Sequence, residues 1–297
     1  MRIGAHISTR GGFEKMATYA QEVGCETIQM FTRSPQRWTA LPMPLEKRAE
    51  MQAARKVYDF GPIMTHGAYL INMTTDKKQI AHLSKMALVD ELVRGSIIEA
   101  EGVNIHLGNV PNGDRDEAVA RAARRIGLTF ELVDQECEKL GIAFDTRLVL
   151  ENSAGMGTSF GNTVTELCKV VKAAVTGGLP REKFGICIDT CHAWAYGYDV
   201  QTREGWQEVI DEFKAFDMLD LWQFGHANDC KFGRGSRKDR HAWIGEGDIG
   251  FDGFKVLLGL GKEYPELDAM CLATEMPGEE PAKDIINIEA LKALRDA

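Results

Sequence analysis

Eight short apolar runs, with helical patterns between them, constrain the fold of this chain more than any other feature. They are RIGAHIS (2–8), ETIQMFT (26–32), PIMTHGA (62–68), VNIHLG (103–108), RLVLENSA (147–154), FGICIDTCH (184–192), LWQFGHAND (221–229) and MCLATEMP (270–277). Each is nearly continuously apolar rather than alternating, which suits parallel strands covered on both faces. Between them, FEKMATYAQEVG (13–24) sets Met16, Ala17, Ala20 and Val23 on one helical face. Asp76 reads as the N-cap of a helix through 77–100, and residues 116–141 carry apolar positions at three and four spacing. Asn162, the segment 202–216 and IEALKALR (288–295) open or supply the later helices. Eight βα units in 297 residues predict an α/β protein, a TIM (β/α)8 barrel, with a doubly wound open sheet as the alternative. Without a linker, a low-complexity stretch or a close repeat, residues 1–297 read as one domain.

Composition narrows the setting. No apolar run reaches the roughly 18 residues of a membrane span. The start, MRIGAHIS, lacks the basic-then-apolar order of a signal peptide. The expectation is a cytoplasmic protein with no membrane partner. Seven cysteines, scattered and without a C-x-x-C pair, are expected to be buried apolar residues rather than a disulfide framework. The net charge of −9 argues against a nucleic-acid partner unless bound cations alter the balance locally.

The chain has seven histidines, and five of them (His6, His66, His106, His192 and His226) fall at or near the end of a predicted strand. Glu151, Asp189 and Glu275 do the same. From the third strand to the eighth, every strand ends in His, Asp or Glu, and in a barrel those ends meet at one mouth. Any one of them alone would be ordinary, as a satisfied polar residue or a helix cap. Gathered together, the carboxylates would repel one another, and metal cations remove that conflict. Asp189 and His192 are three residues apart where a strand turns into a loop, so they need not face one ion. Asp239 and His241 are two apart, which in an extended segment puts both side chains on one side. Imidazole and carboxylate without thiolate favour zinc, manganese or iron in a catalytic site over a structural zinc site. His82 lies within a predicted helix and reads as structural.

At these residues the sequence resembles the endonuclease IV family of zinc-dependent abasic-site endonucleases, nearly end to end. The motifs are IGAHIS with GG (3–12), HGAYLIN (66–72), IHLG (105–108), LENSAGMGTSFG (150–161), CIDTCHAWAYGYD (187–199), HANDC (226–230), GSRKDRHAWIGEGDIG (235–250) and TEMPG (274–278). The resemblance implies a TIM barrel holding three zinc ions, with manganese or iron possible in part. His66, His106 and Glu151 would hold the first. Glu151 as a bridge, Asp189, His226 and Glu275 would hold the second, and His192, Asp239 and His241 the third. His6 is expected to line the pocket without being a ligand. The implied reaction is hydrolysis of the phosphodiester bond 5′ to an abasic site in duplex DNA, leaving a 3′-hydroxyl and a 5′-deoxyribose phosphate. Glu151, Asp189 and Glu275 would be the catalytic carboxylates around a water of lowered pKa.

Three zinc ions would add about +6, bringing the net charge to roughly −3. Arg237, Lys238 and Arg240, with Lys231 and Arg234, lie in the loop of the third-ion pair and suit phosphate contacts. The resemblance places Gln36 and Arg37, and Tyr69 and Leu70, in two loops that enter the minor groove beside an extruded nucleotide. Gln36 stands where some members carry an inserting Arg, with Arg37 one position later, and Met156 stands where Gln is frequent. No G-x-x-x-x-G-K-[ST] loop is present, so no nucleotide cofactor is expected, and a monomer suits an enzyme that embraces duplex DNA. The rival readings are a metal-dependent sugar isomerase or epimerase on the same barrel and a catalytically inactive DNA-binding protein.

Overall fold

In the computed structural model, which describes residues 1–111, 113–276 and 278–297, the eight apolar runs become parallel strands closed into a barrel. The barrel strands are β1 (Arg2–His6), β2 (Thr27–Met30), β3 (Ile63–His66), β4 (Gly102–His106), β5 (Arg147–Glu151), β6 (Phe184–Asp189), β7 (Trp222–His226) and β10 (Cys271–Thr274). An antiparallel hairpin of β8 (Asp229–Cys230) and β9 (His241–Ala242) rises beyond β7. Sheet neighbours run β1, β10, β7, β6, β5, β4, β3, β2, and β2 pairs again with β1. The helices are α1 (Phe13–Val23), α2 (Glu46–Val57), α3 (Lys78–Ile97), α4 (Arg115–Leu140), α5 (Val164–Thr176), α6 (Thr190–Tyr196), α7 (Arg203–Lys214), α8 (Gly250–Glu263) and α9 (Pro281–Asp296). The open-sheet alternative is thereby excluded.

The strands are shorter than the apolar runs that announce them. Ile7, Ala68 and Leu107 are buried but lie past the last ladder residue, so apolar character outlasts the strand and continues under the loops. Pro277, within the eighth run, lies outside the described residues. Other boundaries need correction. Asp76 caps nothing; α3 begins at Lys78 with no side-chain cap. Thr163, not Asn162, caps α5 by accepting the Glu166 N–H, while the Asn162 side chain bonds Ser159. His192 belongs to the short helix α6 rather than to a loop. The last helix starts at Pro281, with proline in its first turn where no amide hydrogen is needed.

Side chains alternate along each strand, and that period of two builds the site. Met64, Val149, Cys187, Phe224 and Cys271 form a small apolar cluster of their own, separate from the main core. Two residues further along β3, β5, β6 and β7 come His66, Glu151, Asp189 and His226. The metal-binding types therefore stand one layer above the apolar plug, at the C-terminal mouth. Gly102 leaves room for the plug: a Cβ there would lie 2.7 Å from Val149 Cγ2, against an ordinary 3.4 Å from the Phe224 ring. Outside the barrel, Trp222 stacks between Trp206 and Phe213, with ring centroids 5.7 and 5.3 Å away. No helix among the described residues is long and apolar enough to cross a membrane.

Phe224→Ala should hollow the plug beneath the polar layer and lower unfolding free energy by about 3–5 kcal/mol. Denaturant titration of the variant checks this; a loss under about 1 kcal/mol would mean the plug is not close-packed.

Candidate metal centre at the barrel mouth

Register aligns the polar strand ends. His106 sits opposite Glu151 across β4 and β5, and Asp189 opposite His226 across β6 and β7. Glu151 is fully buried at the centre of this layer. One of its oxygens lies 3.3 Å from His66 Nε2 and 3.5 Å from His106 Nε2. The other lies 3.0 Å from His226 Nδ1 and 3.2 Å from His192 Nδ1. His226 Nδ1 is also 3.2 Å from Glu275 and 3.6 Å from Asp189. Beside this cluster, Asp239 reaches His192 Nε2 and His241 Nε2, both at 3.3 Å.

Three groups of donors result, each with its ligand atoms within 4.8 Å of one another: His66, His106 and Glu151; Glu151, Asp189, His226 and Glu275; and His192, Asp239 and His241. These are the three sets implied by the resemblance, and the structure brings all nine residues together. A fourth grouping, Asp189, Cys191 and His241, overlaps them. The sequence leads one to expect Cys191, like the other six cysteines, to be a buried apolar residue. Its contact with the Cys230 thiol, reinforced by burial, pushes the Cys191 thiol far up in the metal-free chain. All seven cysteines are buried and free.

The imidazoles are aimed, not merely close. His66 Nδ1 donates to the Gly67 carbonyl at 2.8 Å, His192 Nδ1 to that of Asn152 at 3.0 Å, and His241 Nδ1 to that of Glu275 at 2.9 Å. In each case Nε2 is left facing the carboxylates. His226 is held the other way, with Nε2 on the Gln29 side-chain oxygen at 2.8 Å and Nδ1 inward. Anchoring one ring nitrogen fixes the tautomer and frees the other as a ligand. His241 Nε2 is buried without a hydrogen-bond partner, although Asp239 and Asp189 oxygens stand 3.3 and 3.7 Å away. A donor so placed fits a shared cation better than a hydrogen bond.

Sequence reasoning missed the amides that hold the carboxylates. Asn228 donates to Asp189 at 2.6 Å and to Glu275 at 3.2 Å, while its own oxygen accepts the Glu275 backbone N–H. Gln29 donates to Glu275, Asn104 to Glu151, and Asn152 accepts the Asp189 N–H. Their signal was present: Gln29 and Asn104 are polar residues inside strands otherwise apolar. The second half of GSRKDRHAWIGEGDIG has a structural role. Buried Asp229 accepts the backbone N–H of Cys230, Gly245, Gly247, Ile249 and Gly250, which clamps that loop beside the hairpin.

Charge follows geometry. Burial alone would raise the Glu151 carboxyl, but the adjacent imidazoles of His106 and His226 hold it well below the usual range. Burial opposes charge on His192, yet Asp189, Asp239 and Glu151 hold its pKa well above 6.5. His241 is likewise raised to about 9, burial being outweighed by the Asp239 carboxylate 3.3 Å away and the charge of Asp189. His226 is also held high against burial, by the Cys187 sulfur and the charges of Glu275 and Glu151. His6 is different. Burial lowers it, and it bonds Gln29 at 3.0 Å, 3.8 Å from Glu275, lining a cavity of about 450 Å³ at the mouth. His82 lies exposed on α3, away from the site.

The loop residues flank this centre. Gln36 and Arg37 are exposed, Leu70 is half-buried, and Tyr69 is 56% exposed with its ring edge against His66 and Phe31. The Tyr69 amide donates to the Pro35 carbonyl at 3.0 Å, tying the two loops together. Lys238 and Arg240 are exposed, Lys238 lying 4.3 Å over the Phe232 ring. Arg237 stacks 4.0 Å over Tyr196 and bonds the Ala195 carbonyl through its amide. Gly155 makes this possible: its φ is +76°, and a Cβ there would meet Arg237 at 2.3 Å. Arg234 is occupied by Asp199 at 2.5 Å.

The family model described as a xylose isomerase-like TIM barrel matches residues 17–294. A probable endonuclease 4 from Methanoculleus marisnigri is 34% identical over 297 residues, 99% of each chain. Endonuclease IV from Thermus thermophilus superposes with a TM-score of 0.80 at 26% identity, covering 100% of this chain and 99% of that one. A D-tagatose 3-epimerase-like protein superposes with a TM-score of 0.71 at 17% identity over 100% and 97% of the two chains, which shows a shared fold alone. Kinship along the whole chain, rather than the barrel it shares with sugar epimerases, is decisive: the chain belongs to the endonuclease IV family.

Proposed function

We propose that this protein is an abasic-site endonuclease that hydrolyses the phosphodiester bond 5′ to the lesion in duplex DNA. The products are a 3′-hydroxyl and a 5′-deoxyribose phosphate. The observation that carries the reading is the linked donor array, in which Glu151 belongs to two groups of ligand atoms and Asp189 stands between the second and third. Such an array suits three divalent cations, and its imidazole and carboxylate donors without thiolate suit zinc, with manganese or iron able to replace it in part.

Bound there, zinc would supply charge stabilisation to the phosphoryl oxygens and lower the pKa of an attacking water. The chain's own part is positional. Glu151, locked by Asn104, spans the first two groups and fixes their separation. Asp189 and Glu275, both gripped by Asn228, present oxygens that accept hydrogen bonds from the nucleophile and orient its lone pair. His192, Asp239 and His241 form the third group at the side of the mouth that carries the basic loop, where Arg237, Lys238 and Arg240 meet the DNA backbone. On the other side, Gln36 or Arg37, with Tyr69 and Leu70, occupy the minor groove and replace the extruded abasic nucleotide in the stack.

A labelled duplex with one synthetic abasic site, beside an undamaged control, tests this. Incision should fall 5′ to the lesion, vanish on metal stripping and return with zinc. A folded, zinc-loaded protein that leaves the duplex intact but turns over ketoses would instead establish the sugar-epimerase rival. Glu151→Gln should lower turnover by more than about 100-fold, since even residues behind the ligands are worth 10–100-fold in such sites; a near-normal rate would remove the shared carboxylate from the mechanism.

The raised imidazole pKa values give a second prediction. Stripped of metal, His192, His226 and His241 hold protons at neutral pH, and zinc must displace them. Zinc titration at pH 7 should therefore release protons, and apparent affinity should rise as pH climbs towards the His241 value of about 9. Calorimetry in two buffers of different ionisation enthalpy measures the release. Identical heats in both would show that these rings are neutral before zinc arrives.

A further inference from the structure

The face of α3 beneath the two DNA-side loops carries charge where a barrel helix is normally apolar. Leu88, Val89 and Leu92 are buried as expected, but Glu91 between them has no exposed surface. Arg94 is 4% exposed, and the Arg33 side chain, which comes from the first loop, is 3% exposed. Asp90 completes the set at 29%, so two guanidinium groups meet two carboxyl groups, of which burial pushes Glu91 up to about 7. Replacing such a buried network by apolar residues is often neutral or stabilising. Stability alone therefore does not account for it, and its contacts do.

Every member reaches loop backbone or another member. Glu91 accepts the Ala68 amide at 3.1 Å, just before Tyr69, and with its other oxygen the Thr32 hydroxyl at 3.0 Å. Arg33 lies 2.6 Å from Asp90 and 3.6 Å from Glu91, and donates to the Arg37 carbonyl at 2.5 Å. Arg94 bonds Asp90 at 2.8 Å, the Thr32 carbonyl at 3.1 Å and the Leu41 carbonyl. One helical turn thus grips the first loop at two carbonyls, the Thr32 hydroxyl and the Arg33 guanidinium, and the second at one amide. Together with the Tyr69–Pro35 bond, this makes the loops a single unit built on α3.

We propose that Glu91, with Asp90 and Arg94, is a positioning group for lesion recognition, setting Arg37 and Tyr69 in register before DNA arrives. The inference rests on the proposed role of these loops. None of the three residues touches the metal donors, so their effect falls on recognition rather than on the chemical step. A shift of about 1 Å in groups that position a substrate can cost about 100-fold.

The test compares Glu91→Gln with wild type and with Tyr69→Ala, all zinc-loaded. The readouts are zinc content, kcat, KM and the ratio of Kd values for a tetrahydrofuran-containing and an undamaged duplex. Glu91→Gln keeps the shape but replaces one of the two acceptor oxygens that take the Ala68 amide and the Thr32 hydroxyl by an NH2 donor. It should raise KM and Kd for the lesion duplex at least about tenfold, the scale of residues that orient a site from behind. The Kd ratio should collapse towards one, with zinc content unchanged and kcat within about threefold. A folded Glu91→Gln that discriminates like wild type, while Tyr69→Ala does not, overturns the positioning role alone. Unchanged discrimination in Tyr69→Ala overturns the loop reading and this proposal with it. Equal losses of kcat and zinc would show a general structural role and also overturn it. Should Glu91→Gln fail to fold, Asp90→Asn, at a more exposed site, takes its place in the same comparison, with the same outcomes supporting or overturning the proposal.

Discussion

The constraint on which the site depends is electrostatic. Glu151, Asp189, Glu275 and Asp239 lie within one layer of imidazoles, and the first two are wholly buried. Like charges at this spacing, out of water, cannot all remain ionised without compensation. Five histidines and a set of amide side chains provide it in the metal-free chain, and cations would provide it more completely. The inward amides of Gln29, Asn104 and Asn228 are therefore as much part of the centre as the ligand types. They spend their hydrogen bonds on carboxylates, which fixes oxygen positions before any ion or substrate is present.

Much of this was legible in the sequence. Continuous apolar runs gave the parallel strands because both faces are covered, and period-two alternation carried His66, Glu151, Asp189 and His226 into the mouth one step above the plug. The spacing of Asp239 and His241 foretold their shared approach to one point. What escaped was whatever depends on backbone detail. That Thr163 rather than Asn162 caps α5 turns on a local hydrogen bond that residue type cannot decide, since both residues are good caps. The helical start after Asp189 was hidden because TCHAWAY continues an apolar run. In the sequence Asn228 and Asp229 read only as the end of the seventh strand run, yet one binds two carboxylates and the other gathers a ring of amides.

The barrel mouth divides its labour between two supports. On one side Asp229 stiffens the loop that follows the β8–β9 hairpin, and the hairpin carries His241. On the other, α3 reaches up with charged side chains to hold loops that project from β2 and β3. Both devices use a buried carboxyl group to satisfy backbone amides that loops leave unpaired. The barrel supplies the floor, and these two clamps tie the rim loops to it.

Asp189 has the tightest position of all. One oxygen accepts the His192 amide at 2.7 Å and so starts α6, while the other accepts from Asn228 at 2.6 Å and faces His226 and His241. Helix start and donor array thus share one carboxylate, and His192 is presented by the first turn of the helix that Asp189 caps. A single residue inserted between them would uncap the helix and swing His192 by about 100° around its axis. The four residues 189–192 thus fix in one step where the helix begins and where its ligand points.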